Sequence, residues 1–389
     1  MAHPYGGQIE AKGNSMPLSN LKMSRRIRRT PFTDKVETHG VSGFTVVNHT
    51  LLPKAFEHNV EEDYWHLRND VQIWDVGCQR QVQISGPDAK RFVQWITPRD
   101  LSQATPGKCL YVPLITENGG LINDPVLLKI SNDKFWLSIA DSDVLLWVRG
   151  LALGAKLNVE INEPDVWPLA VQGPRATQVM VEVFGPRIRD IKFFNFNWFD
   201  FEDSKQLIAR SGYSKQGGFE IYLNGSQYGS RLWETIYEAG LKYNIRPGSP
   251  NIIERVEAGL LSYGNEMTID DNPLECGLSD YCNFSDEIDY IGKKALRSIA
   301  DKGLTKQMRG IRFVGKPMGA CSIPWPITSK KNNKAIGKIT SGIYSPRLKV
   351  NIGLSMVEKD HWDPGTEVYV HTENEQVLEG HVCNLPFES

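Results

Sequence analysis

Apolar and polar residues alternate with period two in several short runs of this chain and recur at helical spacing in the runs between them. Arg80-Gln-Val-Gln-Ile-Ser85 alternates and stops at Gly86-Pro87, which predicts a strand closed by a turn. The next residues, Asp88 to Trp95, put Ala89, Phe92 and Val93 on one helical face. Lys108 to Ile115 and Pro125 to Ile130 read as strands, with Glu117-Asn-Gly-Gly120 as a hairpin turn between them. Phe135 to Ile139 predicts another strand, and Asp143 to Leu153 a helix. Strands, hairpins and helices mixed in this way predict an α+β unit, not a doubly wound sheet. Val166-Trp-Pro-Leu-Ala-Val-Gln-Gly-Pro-Arg-Ala176 repeats the order strand, Gly-Pro turn, helix start. It reads either as a second, related α+β half or as chance reuse of a common turn. Asn251 to Tyr263 predicts a helix after Pro247-Gly-Ser-Pro250. From about Lys306 the pattern turns to strands punctuated by Gly and Pro: Gly310 to Val314, Ala335 to Ile339, Asn351 to Val357 and Glu367 to His371. That stretch predicts a small C-terminal β-barrel or sandwich.

The bulk numbers bound this picture. A chain of 389 residues is too long for one ordinary core and predicts two or three domains. Its hydrophobic fraction of 40% and charged fraction of 23% are those of a globular protein. The net charge of −2 argues against nucleic acid as a partner. A local basic run, Arg25, Arg26, Arg28 and Arg29, reads as a solvated arm or as a docking segment for an anionic tail. No stretch reaches the roughly 18 apolar residues of a membrane span, and no secretory signal is legible. The first ~20 residues are polar and small and are expected to be disordered. The six cysteines show no zinc spacing, which predicts reduced thiols in a cytoplasm. The eight histidines do not cluster, so no metal site is expected.

Common catalytic motifs are missing: no P-loop, no GxSxG and no GxGxxG, so neither bound NAD nor a flavin is expected. Three other segments carry candidate chemistry. Tyr111 to Asp124 sets an acid just past the hairpin, held extended by Pro125; on its own this also fits a plain turn residue. Ser211-Gly-Tyr-Ser-Lys-Gln-Gly-Gly-Phe-Glu220 lets backbone approach a flat ligand and opens a strand on an acid. A carboxylate there is suited to a bidentate pair with an amidine-like ring edge, although Gly-rich turns before strands are common. Arg255 and Tyr263 stand about two turns apart on the predicted helix, where a polar rim is the simpler reading.

Taken in order, these segments resemble the glycine-cleavage T-protein (aminomethyltransferase) family. The matching stretches are Thr30-Pro-Phe with Asp75-Val; Val82-Gln-Ile-Ser-Gly-Pro-Asp-Ala; Glu117-Asn-Gly-Gly-Leu-Ile-Asn-Asp124; Ala209-Arg-Ser-Gly-Tyr213 with Gly218-Phe-Glu-Ile; Arg255-Val-Glu-Ala-Gly with Tyr263-Gly-Asn; and Thr340-Ser-Gly-Ile-Tyr-Ser-Pro with Asn351-Ile-Gly-Leu. The resemblance therefore spans nearly the whole chain. It implies an α+β fold, a three-domain T-protein-like ring around a central tetrahydrofolate funnel, with a C-terminal β-barrel. It assigns residues 1–74 and 166–300 to a discontinuous folate-binding α+β domain, 75–165 to a second, ferredoxin-like α+β domain and 301–389 to the barrel. Residue by residue, it makes Asp124 catalytic and Tyr111, Tyr213, Glu220, Arg255 and Tyr263 folate-binding, with Glu220 on the pterin.

The departures shift the expected donor. The family's Gly-Tyr-Thr-Gly-Glu-x-Gly is here Gly212-Tyr-Ser-Lys-Gln-Gly-Gly218, and its Asp-Val-Ser-His-Met is Asp75-Val-Gly-Cys-Gln79. Its Phe-Ala-Gly-Trp is replaced by Phe44-Thr-Val-Val-Asn-His49. These loops look like those of a superfamily branch that demethylates dimethylsulfoniopropionate. The resemblance then implies methyl transfer from a small sulfonium to tetrahydrofolate as cosubstrate, with no metal and no flavin. A sulfonium favours aromatic faces, which nominates Trp198, Tyr213 and Phe32 as substrate-binding, while Lys215 is the candidate for the substrate carboxylate. Glycine-cleavage aminomethyl transfer and another small methyl donor remain open alternatives. A non-catalytic folate-binding role is a third, but the Lys-Gly-Cys-Tyr-x-Gly-Gln motif of those relatives is absent; Gly107-Lys-Cys-Leu-Tyr111 is the nearest approach. No membrane or nucleic-acid partner is expected, and pairing into a homodimer is left open.

Overall fold

Along the strand Gly218–Asn224, Phe219, Ile221 and Leu223 alternate with Glu220 and Tyr222, so one face is wholly apolar. That face enters the largest core, with Val71, Ile73, Leu169 and Val171 from neighbouring strands. The helices Ala176–Phe184 and Gly229–Gly240 cover it with Val179, Met180, Leu232 and Trp233. The computed structural model describes residues 23–388; the N-terminal stretch expected to be disordered lies outside them. The sheet built this way has six strands, in the order Phe196–Phe201, Ser204–Ala209, Gly218–Asn224, Val166–Gln172, Val71–Asp75 and Ile245–Gly248. Its neighbours are antiparallel except the last pair. The chain thus leaves this sheet after Asp75 and returns to it at Val166.

The excursion builds a second sheet in the order Glu160–Asn162, Gln81–Ser85, Lys134–Ser138, Val126–Lys129 and Cys109–Tyr111. The helices Ala89–Trp95 and Val144–Ala155 pack on it through Phe92, Val93, Val144 and Val148. In chain order this sheet runs β-α-β-β-β-α-β, with the helices after its first and fourth strands. The two Gly-Pro turns are a repeat in geometry as well as in sequence. Ala89 and Ala176 each donate to the turn glycine's carbonyl, Gly86 or Gly173, at 3.0 Å. Asp88 and Arg175 each donate to a residue just past a neighbouring helix, Asn158 or Asp70, at 3.2 Å. The shared bonds favour related halves over chance reuse.

The sheets meet through Cys109, Leu128 and Trp136 of one and Phe196, Leu207, Ala209 and Tyr222 of the other. Glu220 shares the Tyr222 face by alternation, so it looks toward the second sheet. The C-terminal strands close a six-stranded barrel, Lys306–Phe313, Val350–Glu358, Ala335–Ser345, Trp325–Ser329, Glu367–His371 and Val377–Cys383.

Two local expectations are corrected. The helix predicted to reach Tyr263 spans only Ile252–Ala258, because Gly259 takes a left-handed cap that ends it. The strand predicted over Lys108 to Ile115 is broken: Cys109–Tyr111 pairs with Val126–Lys129, the strand expected over Pro125 to Ile130, and Leu114–Ile115 pairs separately with Leu121–Asn123. The basic run is partly spent on ion pairs. Arg28 bonds Glu163 at 2.7 Å, and Arg29 bonds Asp34 and Glu37.

Candidate active site

The break in the hairpin creates the first element of the site. Pro113 and Pro125 fall on opposite arms where the ladder stops, and neither has an N–H to continue it. Asp124 occupies the gap. Its neighbour Asn123 is held on Ala140 and Ser142 by three hydrogen bonds of 2.8–3.0 Å, which fixes the segment. Tyr111 Oη donates to Asp124 Oδ2 at 2.8 Å. The other oxygen, Oδ1, is buried and finds no partner among the described residues. Burial pushes the Asp124 carboxyl up to about 7, and the Tyr111 bond offsets only part of that. Tyr111 is itself packed edge-on against Tyr281, with ring centroids 5.1 Å apart, and its carbonyl accepts from Arg99.

The second element is the turn before Glu220. A Cβ on Gly212 would stand 2.1 Å from the Gln172 amide, and one on Gly218 would stand 2.4 Å from the Val171 carbonyl. Both have positive φ, so only glycine fits here. Ser214 Oγ donates to Gln172, and Gln216 Nε2 donates to Glu254 Oε1 at 2.8 Å, which ties the turn down. Ser211 Oγ donates to Glu220 Oε2. Burial pushes the Glu220 carboxyl up while the Ser211 bond opposes it. The carboxyl is near enough to raise the Cys109 thiol further. Cys109 and Tyr111 share a face of their strand by alternation, so one surface runs from Glu220 past Cys109 to Asp124.

The third element is the loop from Leu260 to Asp271. Tyr213 Oη donates to the Leu261 carbonyl at 2.6 Å, and Tyr263 Oη to the Leu121 carbonyl at 3.1 Å. Burial raises both phenols, Tyr263 to about 12, and Asp124 adds to each shift. Arg255 bonds Glu266 Oε2 at 2.7 Å, the Leu260 carbonyl at 3.0 Å and Ser341 Oγ on the barrel. Its guanidinium is therefore spent on holding this loop and the barrel together.

Asp124, Tyr111, Tyr213 and Tyr263 thus converge, with Glu220 and Arg255 on adjoining elements. The nominated donor-binding residues do not all join them. Phe32 is wholly enclosed in the main core beside Trp233 and offers no face to a ligand; aromatic identity carries no information on burial. Trp198 is half-buried and packs edge-on against Trp136 between the sheets. Lys215 is exposed at the turn, anchored by its backbone N–H on Glu254. Sequence reasoning missed Glu266, Ser211 and Tyr281. Glu266 directly follows the quoted Tyr263-Gly-Asn, but no local pattern marks it as the partner of Arg255. Among the described residues no group of three or more His, Cys, Asp or Glu is arranged to hold a metal. No described helix is long and apolar enough to cross a membrane, and all six cysteines are unpaired.

Chemically, the arrangement offers one carboxyl poised near neutrality with a free oxygen, suited to accept a proton. A second buried carboxyl, on the same surface, is suited to a flat hydrogen-bonding ring.

The GCVT N-terminal domain family matches residues 32–286, and the glycine cleavage T-protein C-terminal barrel domain family matches residues 306–388. The chain is 47% identical over 355 residues to the dimethylsulfoniopropionate demethylase DmdA of Ruegeria pomeroyi, covering 91% of this chain and 96% of that protein. It is 29% identical over 373 residues to an aminomethyltransferase of Oceanobacillus iheyensis, covering 92% and 98%. An aminomethyltransferase of Caldanaerobacter subterraneus is 31% identical over 331 residues, covering 83% and 86%. The crystal structure of the glycine cleavage system aminomethyltransferase T from Bartonella henselae superposes with a TM-score of 0.83 at 22% identity, covering 93% of this chain and 98% of that one. That likeness shows the fold.

Proposed function

This chain belongs to the glycine-cleavage T-protein family, and from that premise we propose that it demethylates dimethylsulfoniopropionate, yielding methylmercaptopropionate and 5-methyltetrahydrofolate. One observation carries the choice of donor. Identity to a dimethylsulfoniopropionate demethylase is 47% across nearly the full length of both chains, against about 30% to aminomethyltransferases.

A sulfonium is an activated methyl donor whose leaving group is a neutral thioether. Tetrahydrofolate supplies N5 as the nucleophile, and the methyl group passes to it in line. Asp124 then takes the proton that N5 gives up, through its unpartnered Oδ1. Tyr111 keeps that carboxyl oriented and lowers its pKa toward a working value. Glu220, oriented by Ser211, holds the pterin edge. Tyr213 and Tyr263 line the pocket beside it, and Arg255 shapes it through Glu266. Alignment of N5, methyl carbon and sulfur supplies much of the rate. Tyr213 and Trp198 are the aromatic faces for the sulfonium; the enclosed Phe32 is dropped from that role.

Within this reading the described residues of 1–74, with 166–300, form the folate-binding domain, 75–165 the ferredoxin-like one and the described residues of 301–389 the barrel. Six unpaired cysteines suit a reducing compartment, the cytoplasm. The test is direct. Purified protein incubated anaerobically with tetrahydrofolate and dimethylsulfoniopropionate should form 5-methyltetrahydrofolate. Folate binding without that product would sink the donor assignment and leave the folate site standing.

A further inference from the structure

In the hairpin of Gly43–Val47 and Thr50–Ala55, Phe44 pairs with Pro53 and Gly43 with Ala55. Lys54 is therefore the extra residue of a bulge. A bulge re-aims a side chain out of the ladder and is frequent beside binding sites. The Lys54 carbonyl accepts from Ser249 Oγ at 3.4 Å, which ties the bulge to the entrance of the helix Ile252–Ala258. The side chain is exposed and lies within electrostatic range of Arg255 on that helix. Surrounding protein lowers its pKa, and Arg255 lowers it further. No carboxylate opposes either effect, and Lys54 has no ion-pair partner among the described residues. Arg255 is neutralised by Glu266, with Ser341 and the Leu260 carbonyl as further acceptors. Of two adjoining cations, one has its anion and the other lacks one.

We propose that Lys54 binds a carboxylate of the glutamate tail of tetrahydrofolate at the rim of the site, an assignment that rests on the folate reading above. The hairpin's own geometry selects the tail over the donor's carboxylate. At its tip, the Asn48 N–H donates to Asp141 Oδ1 at 2.8 Å. Asn48 Nδ2 donates to the Ala140 carbonyl, which also accepts from Asn123, the neighbour of Asp124. The tip is thus at the reacting end. Lys54 lies further along the strand that starts at Thr50, roughly 13 Å from its start at about 3.3 Å per residue. A propionate is too short to reach from one to the other, whereas the aminobenzoyl-glutamate tail leads away from N5.

The experiment compares wild type with Lys54→Met, which keeps the aliphatic stem, and with Lys54→Glu. Tetrahydrofolate binding is measured by titration, together with KM for each substrate and kcat. Tetrahydrofolate affinity should fall about 5-fold in Lys54→Met and further in Lys54→Glu, with kcat and donor KM unchanged. A tailless acceptor, 6-methyltetrahydropterin, should bind all three proteins alike, and the difference for tetrahydrofolate should shrink with added salt. Equal tetrahydrofolate affinity in wild type and Lys54→Met overturns the assignment. A raised donor KM with unchanged folate affinity does so too, by giving Lys54 to the donor carboxylate. If wild type binds folate but does not turn over the sulfonium, the donor reading fails, and the binding comparison still decides Lys54.

Discussion

Asp75 is buried and Asp124 partly so, and desolvation pushes both carboxyls up to about 7. By titration alone they are twins. Their hydrogen bonds separate them. Asp75 Oδ2 accepts from Thr30 Oγ1 at 2.6 Å, and its Oδ1 accepts from the Gly77 N–H at 3.0 Å. Both oxygens are used to clasp the N-terminal segment to the end of a core strand. Asp124 has the Tyr111 bond on one oxygen, and the other finds no partner among the described residues. A perturbed pKa marks burial, which structural and reacting groups share; under the proposed mechanism it is the unsatisfied oxygen that sets Asp124 apart.

The largest effect should separate the two outright. Asp124→Asn should cut kcat by roughly 10²- to 10⁴-fold with little change in folate affinity, while Asp75→Asn should stay within a few-fold of wild type. Comparable losses in steady-state assays of the two would dissolve the contrast. Next, Glu220→Ala should weaken folate binding by roughly 10- to 100-fold and lower kcat at saturation far less. Unchanged folate affinity on titration would mean that Glu220 does not touch the pterin.

A smaller effect sharpens the role of Tyr111. In the wild type kcat should rise with pH through about 7, as Asp124 becomes the carboxylate that accepts a proton. The Tyr111 bond favours that ionised form, so Tyr111→Phe should move the midpoint of the pH–rate profile upward. The rate at pH 7 should drop several-fold and recover at higher pH. A midpoint that stays put would remove Asp124 as the titrating group.

The smallest effect belongs to Asp75 and concerns stability. Thr30→Val leaves Oδ2 without its donor, at a cost of about 1–3 kcal/mol, so Tm should fall by a few degrees and kcat should not change. The pH dependence has a definite sign. Asp75 keeps its proton in the folded state up to about 7, whereas an unperturbed aspartate releases it near 3.8. Its contribution to stability is complete below about 3.8 and is lost as pH rises toward about 7. The Thr30 bond lowers the folded pKa, so in Thr30→Val the loss should extend to higher pH. Thermal melts across that range read it directly.

Much of the fold was legible because it follows from short periods. Alternation marked Gln81–Ser85, and strand-rich runs marked four of the six barrel strands but not Trp325–Ser329 or Val377–Cys383; helical spacing marked Ala89–Trp95 and Val144–Ala155. Errors came where two signals competed. The spacing of Arg255 and Tyr263 suggested one helix, yet Gly259 between them ended it after Ala258. Lys108 to Ile115 read as one whole strand, yet the ladder stops where Pro113 and Pro125 fall on opposite arms. In the site, Asp124 and Glu220 were legible as acids at punctuated turns. Glu266 and Ser211 were not, because neither stands in a pattern that announces a partner.

The sequence by itself determined the local elements, the Gly-rich turn before Glu220 and the ordered motifs that carry the family resemblance. Only the tertiary structure decided that Asp124 Oδ1 and the Lys54 ammonium meet no partner among the described residues, and that Phe32 has no exposed face. Those are properties of surroundings assembled from distant residues. Thr30 reaches Asp75 across 45 positions, and Ser341 reaches Arg255 across 86. Local periodicity constrains backbone conformation, but desolvation and hydrogen-bond satisfaction depend on what the rest of the chain brings alongside.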